Sequence, residues 1–191
     1  REFNVSRSTV RESLSELMAA GLISKQQGRH TRLVNPMESL VLSRPVIGDP
    51  SIQEVKDVLE LRAFLESVAA GCCAESASDD QLAIIKSEYE KMQLRNEKNT
   101  TLSRAKADLQ FHMLIAQFSH NLVVASLSEL FYSRYFSSIY KALDLTLQRY
   151  GRYPDKIAPQ HEQIFKALCQ RDRLAAEAAA REHVLYTRSL L

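Results

Sequence analysis

Glycine, proline and cysteine are scarce in this sequence, and long apolar runs are missing. Five glycines and five prolines among 191 residues leave little room for low-complexity linker. The cysteines are odd in number, and Cys72 and Cys73 are adjacent within a helical pattern, so neither a disulfide framework nor a zinc knuckle is predicted. The cysteines instead indicate free thiols in a reducing cytoplasm. No apolar run approaches the ~20 residues that span a bilayer, and no signal peptide is visible.

The net charge is small but unevenly distributed. It is +2 overall, yet residues 1–34 alone carry six Lys or Arg against three acids, a balance of +3 that leaves −1 for the rest. A positive excess confined to the front of the chain is expected if only that part contacts a polyanion. The sequence starts at Arg1 in mid-pattern and without Met, so we expect further residues before it in the full protein.

Residues 5–34, VSRSTVRESLSELMAAGLISKQQGRHTRLV, predict a helix followed by a small β-hairpin. Ser6 is a favourable N-cap, apolar residues recur at helical spacing over 8–20, and Gly21 is suited to end the helix. Short runs at 22–25 and 31–34 flank a turn at 26–29. Residues 36–50, which contain three prolines, are the predicted linker. The remainder, 51–191, has helical spacing throughout and predicts an all-α antiparallel bundle of about six helices.

The chemistry of the first helix suits a DNA groove, because a recognition helix presents its N-terminal residues to base edges. Its first turns offer hydroxyls and arginines to phosphates and bases, from Ser6, Arg7, Ser8, Thr9 and Arg11. The hairpin tip offers Gln27, Gly28 and Arg29, where glycine permits close backbone approach and arginine suits a narrow minor groove. An amphipathic surface helix followed by an ordinary hairpin is the alternative.

This stretch resembles the winged helix-turn-helix of the GntR family of bacterial transcription regulators. The family pattern V-S-R-x-x-V-R-E-x-L-x-x-L…G-L-I…Q-G-x-x-T-x-V is matched nearly throughout. The resemblance implies that the eight residues just named contact DNA, and that residues 1–35 are a partial DNA-binding domain. The family's first helix and most of its second have no counterpart in this sequence.

Four residues in the helical part are candidate metal ligands. Asp108 and His112 are four apart and therefore share a helix face. His161 and His183 lie in two later helices, and metal sites in bundles are built from such inward-projecting side chains. Three imidazoles and a carboxylate suit zinc first, and also nickel, cobalt, manganese or iron(II). The alternative is that the histidines only pack in the bundle.

Residues 51–191 resemble the FCD effector domain of the FadR-like branch of GntR regulators. The segments that carry the resemblance are LRAFLESVAAGCCA, ADLQFHMLIAQFSHN, QHEQIFKAL and AAREHV. In the metal-binding members of that branch, the ligand positions match Asp108, His112, His161 and His183. The branch is all-helical and usually dimeric, and its effectors change how two DNA-reading heads are presented. The segments QGRHTR, YEKM and SHNLVV look closest to regulators of glycolate and lactate use.

An acidic effector needs a cationic partner besides the metal. Arg62, flanked by Leu61 and Leu65, is predicted to point inward, and the family resemblance implies an arginine there that faces the cavity. The alternative is a surface pair with Glu66 four residues on, worth roughly a few tenths of a kcal/mol. Asn121 is predicted either to donate to the same ligand or to start a helix.

The sequence therefore predicts a DNA-binding transcription regulator that acts as a homodimer on palindromic half-sites. Its helical domain is expected to bind a divalent metal ion and a small carboxylate such as a 2-hydroxy acid. One rival is a metal-dependent enzyme acting on small carboxylates, against which no general base is found beside the cluster. The other is a structural bundle with no metal. Neither enzymatic activity nor a membrane partner is expected.

Overall fold

The computed structural model describes residues 5–25, 30–34, 49–95, 100–151 and 154–191. Contacts divide the chain into two compact units, Arg1–Pro45 and Val46–Leu191. The predicted hairpin-tip residues Gln27, Gly28 and Arg29 lie outside the described residues, as does most of the predicted linker over 36–50. The roles assigned to those segments therefore stay predictions.

The smaller unit contains the predicted helix and hairpin. Helix α1 spans Arg7–Ala19, and Ser6 caps it by accepting a hydrogen bond from the Thr9 N–H at 3.1 Å. Gly21 follows with φ +71°, a left-handed conformation that glycine adopts readily after a helix. Strands β1 (Ile23–Ser24) and β2 (Arg32–Leu33) pair antiparallel, with Ile23 opposite Leu33.

The larger unit is helical throughout its described residues, which confirms the predicted all-α bundle. Its helices are α2 (Ile52–Ser76), α3 (Asp79–Arg95), α4 (Thr101–Gln117), α5 (Leu122–Tyr150), α6 (Ile157–Cys169) and α7 (Arg173–Ser189). Helix α5 is kinked at Tyr135, where the backbone leaves the helical conformation. None of the helices described here has both the length and the apolar character that a bilayer crossing requires.

Capping residues fix where these helices begin and end. The Glu54 N–H donates to the Ser51 hydroxyl, and the Ser51 N–H donates to the Glu54 carboxylate, which is a complete capping box for α2. The Asn121 side chain accepts hydrogen bonds from the N–H groups of Val123 and Val124 at the start of α5. The helix boundaries therefore follow largely from local sequence.

Helix α2 is the central element, since it packs against α4, α5, α6 and α7. Its contact with α7 is close: a Cβ added at Gly71 would meet the side chain of Glu177, and the Ser67 hydroxyl donates to the Glu177 carbonyl at 3.0 Å. The main apolar core takes residues from all six helices of the larger unit and includes the fully buried Phe111 of α4 and Ile164 of α6. Side chains that α2, α4, α6 and α7 direct inward are consequently brought together in the interior.

Candidate metal and effector site

The four predicted metal ligands converge at one buried point. Asp108 and His112 come from α4, His161 from α6 and His183 from α7, and each side chain offers one atom to a group whose members all lie within 4.8 Å of one another. Asp108 is 8% exposed and the three histidines are 2–3% exposed. The predicted juxtaposition of three helices is therefore what the structure contains.

The two carboxylate oxygens of Asp108 face different partners. Oδ1 lies 3.0 Å from His161 Nε2, 3.7 Å from His112 Nε2 and 3.8 Å from His183 Nε2. Oδ2 accepts a hydrogen bond from Arg62 Nη2 at 2.8 Å. Burial alone would raise the pKa of Asp108, but Arg62 and then His112 hold it well below its usual range. Asp108 is therefore ionised, with one oxygen directed at the imidazoles.

A second buried carboxylate, Glu66, lies behind the cluster. Its Oε1 accepts hydrogen bonds from Arg62 Nε at 2.5 Å and from the Tyr132 hydroxyl. Its Oε2 lies 2.8 Å from His112 Nδ1. Burial favours the neutral acid, yet Arg62 and His112 lower the pKa of Glu66 to about 2. The sequence analysis missed this role because it considered Glu66 only in the alternative, as a surface partner of Arg62 four residues away.

The three histidines differ in protonation. Burial alone would lower the pKa of His112, but the charges of Glu66 and Asp108 raise it to about 9. For His183 burial dominates, and with His161 nearby it lowers the pKa to about 3. Burial also lowers the pKa of His161. His161 and His183 are therefore neutral imidazoles at neutral pH, which is the form that binds metal ions.

The donor set fits a divalent transition metal on its chemistry and its spacing. Four-coordinate sites with bonds of about 2.0–2.2 Å separate their ligand atoms by roughly 3–4 Å. The distances from Asp108 Oδ1 to the three imidazoles, 3.0–3.8 Å, and the 3.3 Å between His112 Nε2 and His161 Nε2 are in that range. His183 directs Nε2 toward Asp108, while its buried Nδ1 has no hydrogen-bond partner among the described residues.

A cavity of about 200 Å³ opens onto Asp108 and His161. It is mostly apolar, and its other lining residues are Met92, Arg104, Leu143, Pro154, Asp155, Ile157 and Ala158. The volume is below the roughly 300 Å³ at which pockets for drug-sized ligands begin, so a small molecule is the matching occupant. Arg104, one helical turn before Asp108, brings a cation to the wall.

The two residues predicted to contact the effector, Arg62 and Asn121, have different surroundings in the structure. Arg62 points inward as predicted and is 2% exposed, but it bonds Glu66 and Asp108 and is not among the residues that line the cavity. Asn121 is exposed and its side chain caps α5, which is the helix-start alternative. Arg104 was missed, although its spacing of four from Asp108 was a usable signal.

The predicted DNA-contacting residues at the start of α1 are all exposed. They are Ser6, Arg7, Ser8, Thr9 and Arg11. The Ser6 hydroxyl is within 2.6 Å of the Ser8 hydroxyl and also caps the helix through the Thr9 N–H. The apolar side of α1 is exposed as well, since Val10 and Leu14 are 44% and 36% exposed and no α1 residue is buried.

Two family models match the chain. The model described as "FCD domain" matches residues 57–185, and the model described as "Bacterial regulatory proteins, gntR family" matches residues 1–33. The first match covers the whole metal-ligand cluster and the second covers α1 and the hairpin.

Several named proteins are similar to this chain. The Glc operon transcriptional activator of Escherichia coli K12 is 33% identical over 188 residues, which are 94% of this chain and 72% of that protein. The HTH-type transcriptional regulator LutR of Bacillus subtilis is 30% identical over 191 residues, 99% of this chain and 86% of that protein. A solved GntR structure from Streptococcus agalactiae shares the fold, with a TM-score of 0.60 and 22% identity over 98% of this chain and 84% of that one.

The buried ion pairs of Arg62 generate a prediction. Arg62→Met should destabilise the protein by about 3–5 kcal/mol, because it leaves two buried carboxylates without their cation. The measurement is the free energy of unfolding from urea titration.

Arg173→Met is the matched control. Arg173 also bonds two carboxylates, Glu75 at 2.6 Å and Glu177 at 2.8 Å, but it is 44% exposed, so the loss of stability should be much smaller. Equal losses in the two variants would show that the interior carboxylates do not depend on Arg62.

Proposed function

Because the chain belongs to the GntR family of bacterial transcription regulators and carries an FCD domain, we propose that it regulates transcription in response to a small carboxylate bound at a divalent metal centre. The named relatives are transcriptional regulators, so the chain is a regulator rather than an enzyme. One observation carries the proposal about the ligand: Asp108 and three histidines converge beside a small cavity.

The DNA-reading part of the proposal rests on α1. Ser6, Ser8 and Thr9 would donate to phosphates, while Arg7 and Arg11, four apart, would reach base edges from one helix face. The hairpin residues 27–29 are proposed to contact the neighbouring groove. Two copies of the chain would read two half-sites, since a helix-turn-helix protein matches the symmetry of its operator by dimerising.

The metal would be held by Asp108, His112, His161 and His183. Bound there, it would act as a Lewis acid toward a ligand oxygen. Zinc is the first expectation, but imidazole and carboxylate ligands also accept nickel, cobalt, manganese or iron(II). Two observations support the site. The four side chains converge, and two of the three imidazoles are already neutral when no metal ion is bound.

A charge balance favours an anionic effector. With three neutral imidazoles, the buried Arg62, Glu66 and Asp108 together carry −1, so a divalent ion makes the centre +1. The cavity wall adds Arg104 and Asp155, which offset each other. A carboxylate would restore neutrality, and its 2-hydroxyl would supply a second oxygen to the metal. We assign the cationic contact to Arg104, while Arg62 neutralises Asp108 and Glu66.

Regulation would follow from differential binding. A ligand that prefers one packing of α2, α4, α6 and α7 over another shifts the population toward that packing by its difference in affinity. In a dimer, the same shift would alter the spacing of the two DNA-reading units.

For DNA contact, we expect Arg7→Ala and Arg11→Ala each to reduce the slope of log binding constant against log salt by about 1 on non-operator DNA, because binding without base recognition is electrostatic and each arginine then neutralises a phosphate. The measurement is fluorescence anisotropy with a duplex of mixed sequence. Arg181→Ala, the same change at an exposed residue of α7, should leave the slope unaltered. An unaltered slope in the α1 variants would remove them from the interface.

For the metal, protein purified without a metal-chelate column should contain a stoichiometric divalent ion by elemental analysis. His161→Ala and Asp108→Asn should lose most of it, because each removes one of four ligands. His120→Ala should retain it, since His120 is exposed and hydrogen-bonds Gln81 instead. A metal content that is zero throughout, even after incubation with zinc, would favour the purely structural bundle.

For the effector, glycolate or lactate at 100 times its dissociation constant should stabilise zinc-loaded protein by about 2.7 kcal/mol. Thermal shift measures this, with lactamide as the uncharged control ligand. Arg104→Gln should weaken the shift, whereas Lys106→Gln, two residues along the same helix and exposed, should preserve it. If no small carboxylate raises the melting temperature of metal-loaded protein, the effector class is wrong.

A further inference from the structure

We propose that Glu66 is a positioning residue for the metal centre, which holds His112 through Nδ1 so that Nε2 faces the other three ligands. This inference rests on the proposed metal site. Glu66 is 5% exposed, lies on α2 and supplies no atom to the four-residue ligand group. Glu66 therefore acts on the ligand His112 and does not itself coordinate the metal.

Two hydrogen bonds orient the Glu66 carboxylate independently of its contact with His112. Arg62 Nε and the Tyr132 hydroxyl both donate to Oε1, one from the same helix and one from α5. The other oxygen, Oε2, lies 2.8 Å from His112 Nδ1 as an ion-pair contact and accepts no hydrogen bond among the described residues. Two elements of the bundle thus fix the oxygen that meets the imidazole.

The chemistry of imidazole gives this contact a consequence. A carboxylate at Nδ1 retains the proton there, so the lone pair for coordination lies on Nε2, and the carboxylate also makes the ligand more basic. His112 Nε2 is the atom that lies 3.3 Å from His161 Nε2 within the cluster. His183 lacks such support, since its Nδ1 has no partner in the described structure. The three imidazoles are therefore unequal, and His112 is the oriented one.

The packing around Glu66 excludes the other obvious role, direct contact with the effector. The space bounded by Glu66, His112 and Tyr132 has no room for a water molecule. The cavity that can hold a small ligand lies on the side of Asp108 and His161. An effector in that cavity meets the metal ligands, while Glu66 stays behind His112.

The test is the affinity for Zn²⁺, measured by competition with a chromophoric chelator. Glu66→Gln preserves the side-chain shape and removes the charge, and Glu66→Asp preserves the charge and withdraws it from His112. Each should weaken Zn²⁺ binding 10- to 100-fold, the range found when such supporting carboxylates are lost. Glu60→Gln, the same change on an exposed residue of α2, should leave the affinity unaltered.

A merely structural role is separated by two further readouts. Circular dichroism melting of metal-free protein reports the fold, and a structural role would lower that melting temperature while leaving Zn²⁺ affinity intact. Proton NMR of zinc-loaded wild-type protein should show a downfield, slowly exchanging His112 Nδ1–H resonance, which should vanish in His112→Ala. This measurement uses the wild-type protein, so it does not depend on whether a Glu66 variant folds. Absence of the resonance overturns the inference.

The two proposals fail in different ways. If the wild type binds no Zn²⁺, the proposed function itself is wrong. If the wild type binds Zn²⁺ and Glu66→Gln binds it within twofold as tightly, the metal centre stands and only the role of Glu66 is overturned.

Discussion

The hydrogen bond from Arg62 to Asp108 is the contact on which the buried site depends. It occupies one carboxylate oxygen of Asp108 and leaves the other facing three imidazoles. Because the same guanidinium also bonds Glu66, one cation keeps two interior carboxylates ionised. Those two charges then raise the pKa of His112 to about 9, against the effect of burial. The polar interior is consequently a single electrostatic unit rather than a set of separate pairs.

Such a unit contributes little net free energy to the stability of a helical bundle. Removing ions from water costs several kcal/mol each, and apolar residues of similar volume often give an equally or more stable core. An apolar core is already present alongside, around Phe111, Ile164 and Leu168. Departures from good packing chemistry are expected at functional sites, so the concentration of six ionisable side chains in this region favours a binding role over a packing role.

The sequence predicted the features that short-range rules control, such as helix ends, and missed the features that depend on whether a side chain is buried. Helix ends followed from short-range chemistry, as at the Ser6 cap and at Gly21. The Asp108–His112 spacing predicted a shared helix face. His161 and His183 were candidates because they lie in later helices of the bundle, but no spacing rule brings them to Asp108, and the family resemblance supplied that link. Glu66 was considered only as the surface partner of Arg62 in the alternative interpretation, because a spacing of four residues is the same at a surface and in a core. Only the packing of α4, α5 and α7 around α2 decides between those environments.

The position of Arg62 and Glu66 along the chain gives the site a mechanical consequence. Both lie on α2, the first helix of the larger unit and the one nearest in sequence to the DNA-reading unit. Helix α2 contributes no metal ligand, yet its two charged residues contact Asp108 and His112 directly. Any change of charge in the cluster of Asp108 and the three histidines therefore alters the forces on α2. The Arg62–Glu66 pair couples that cluster, which α4, α6 and α7 supply, to the helix that follows the smaller unit in sequence.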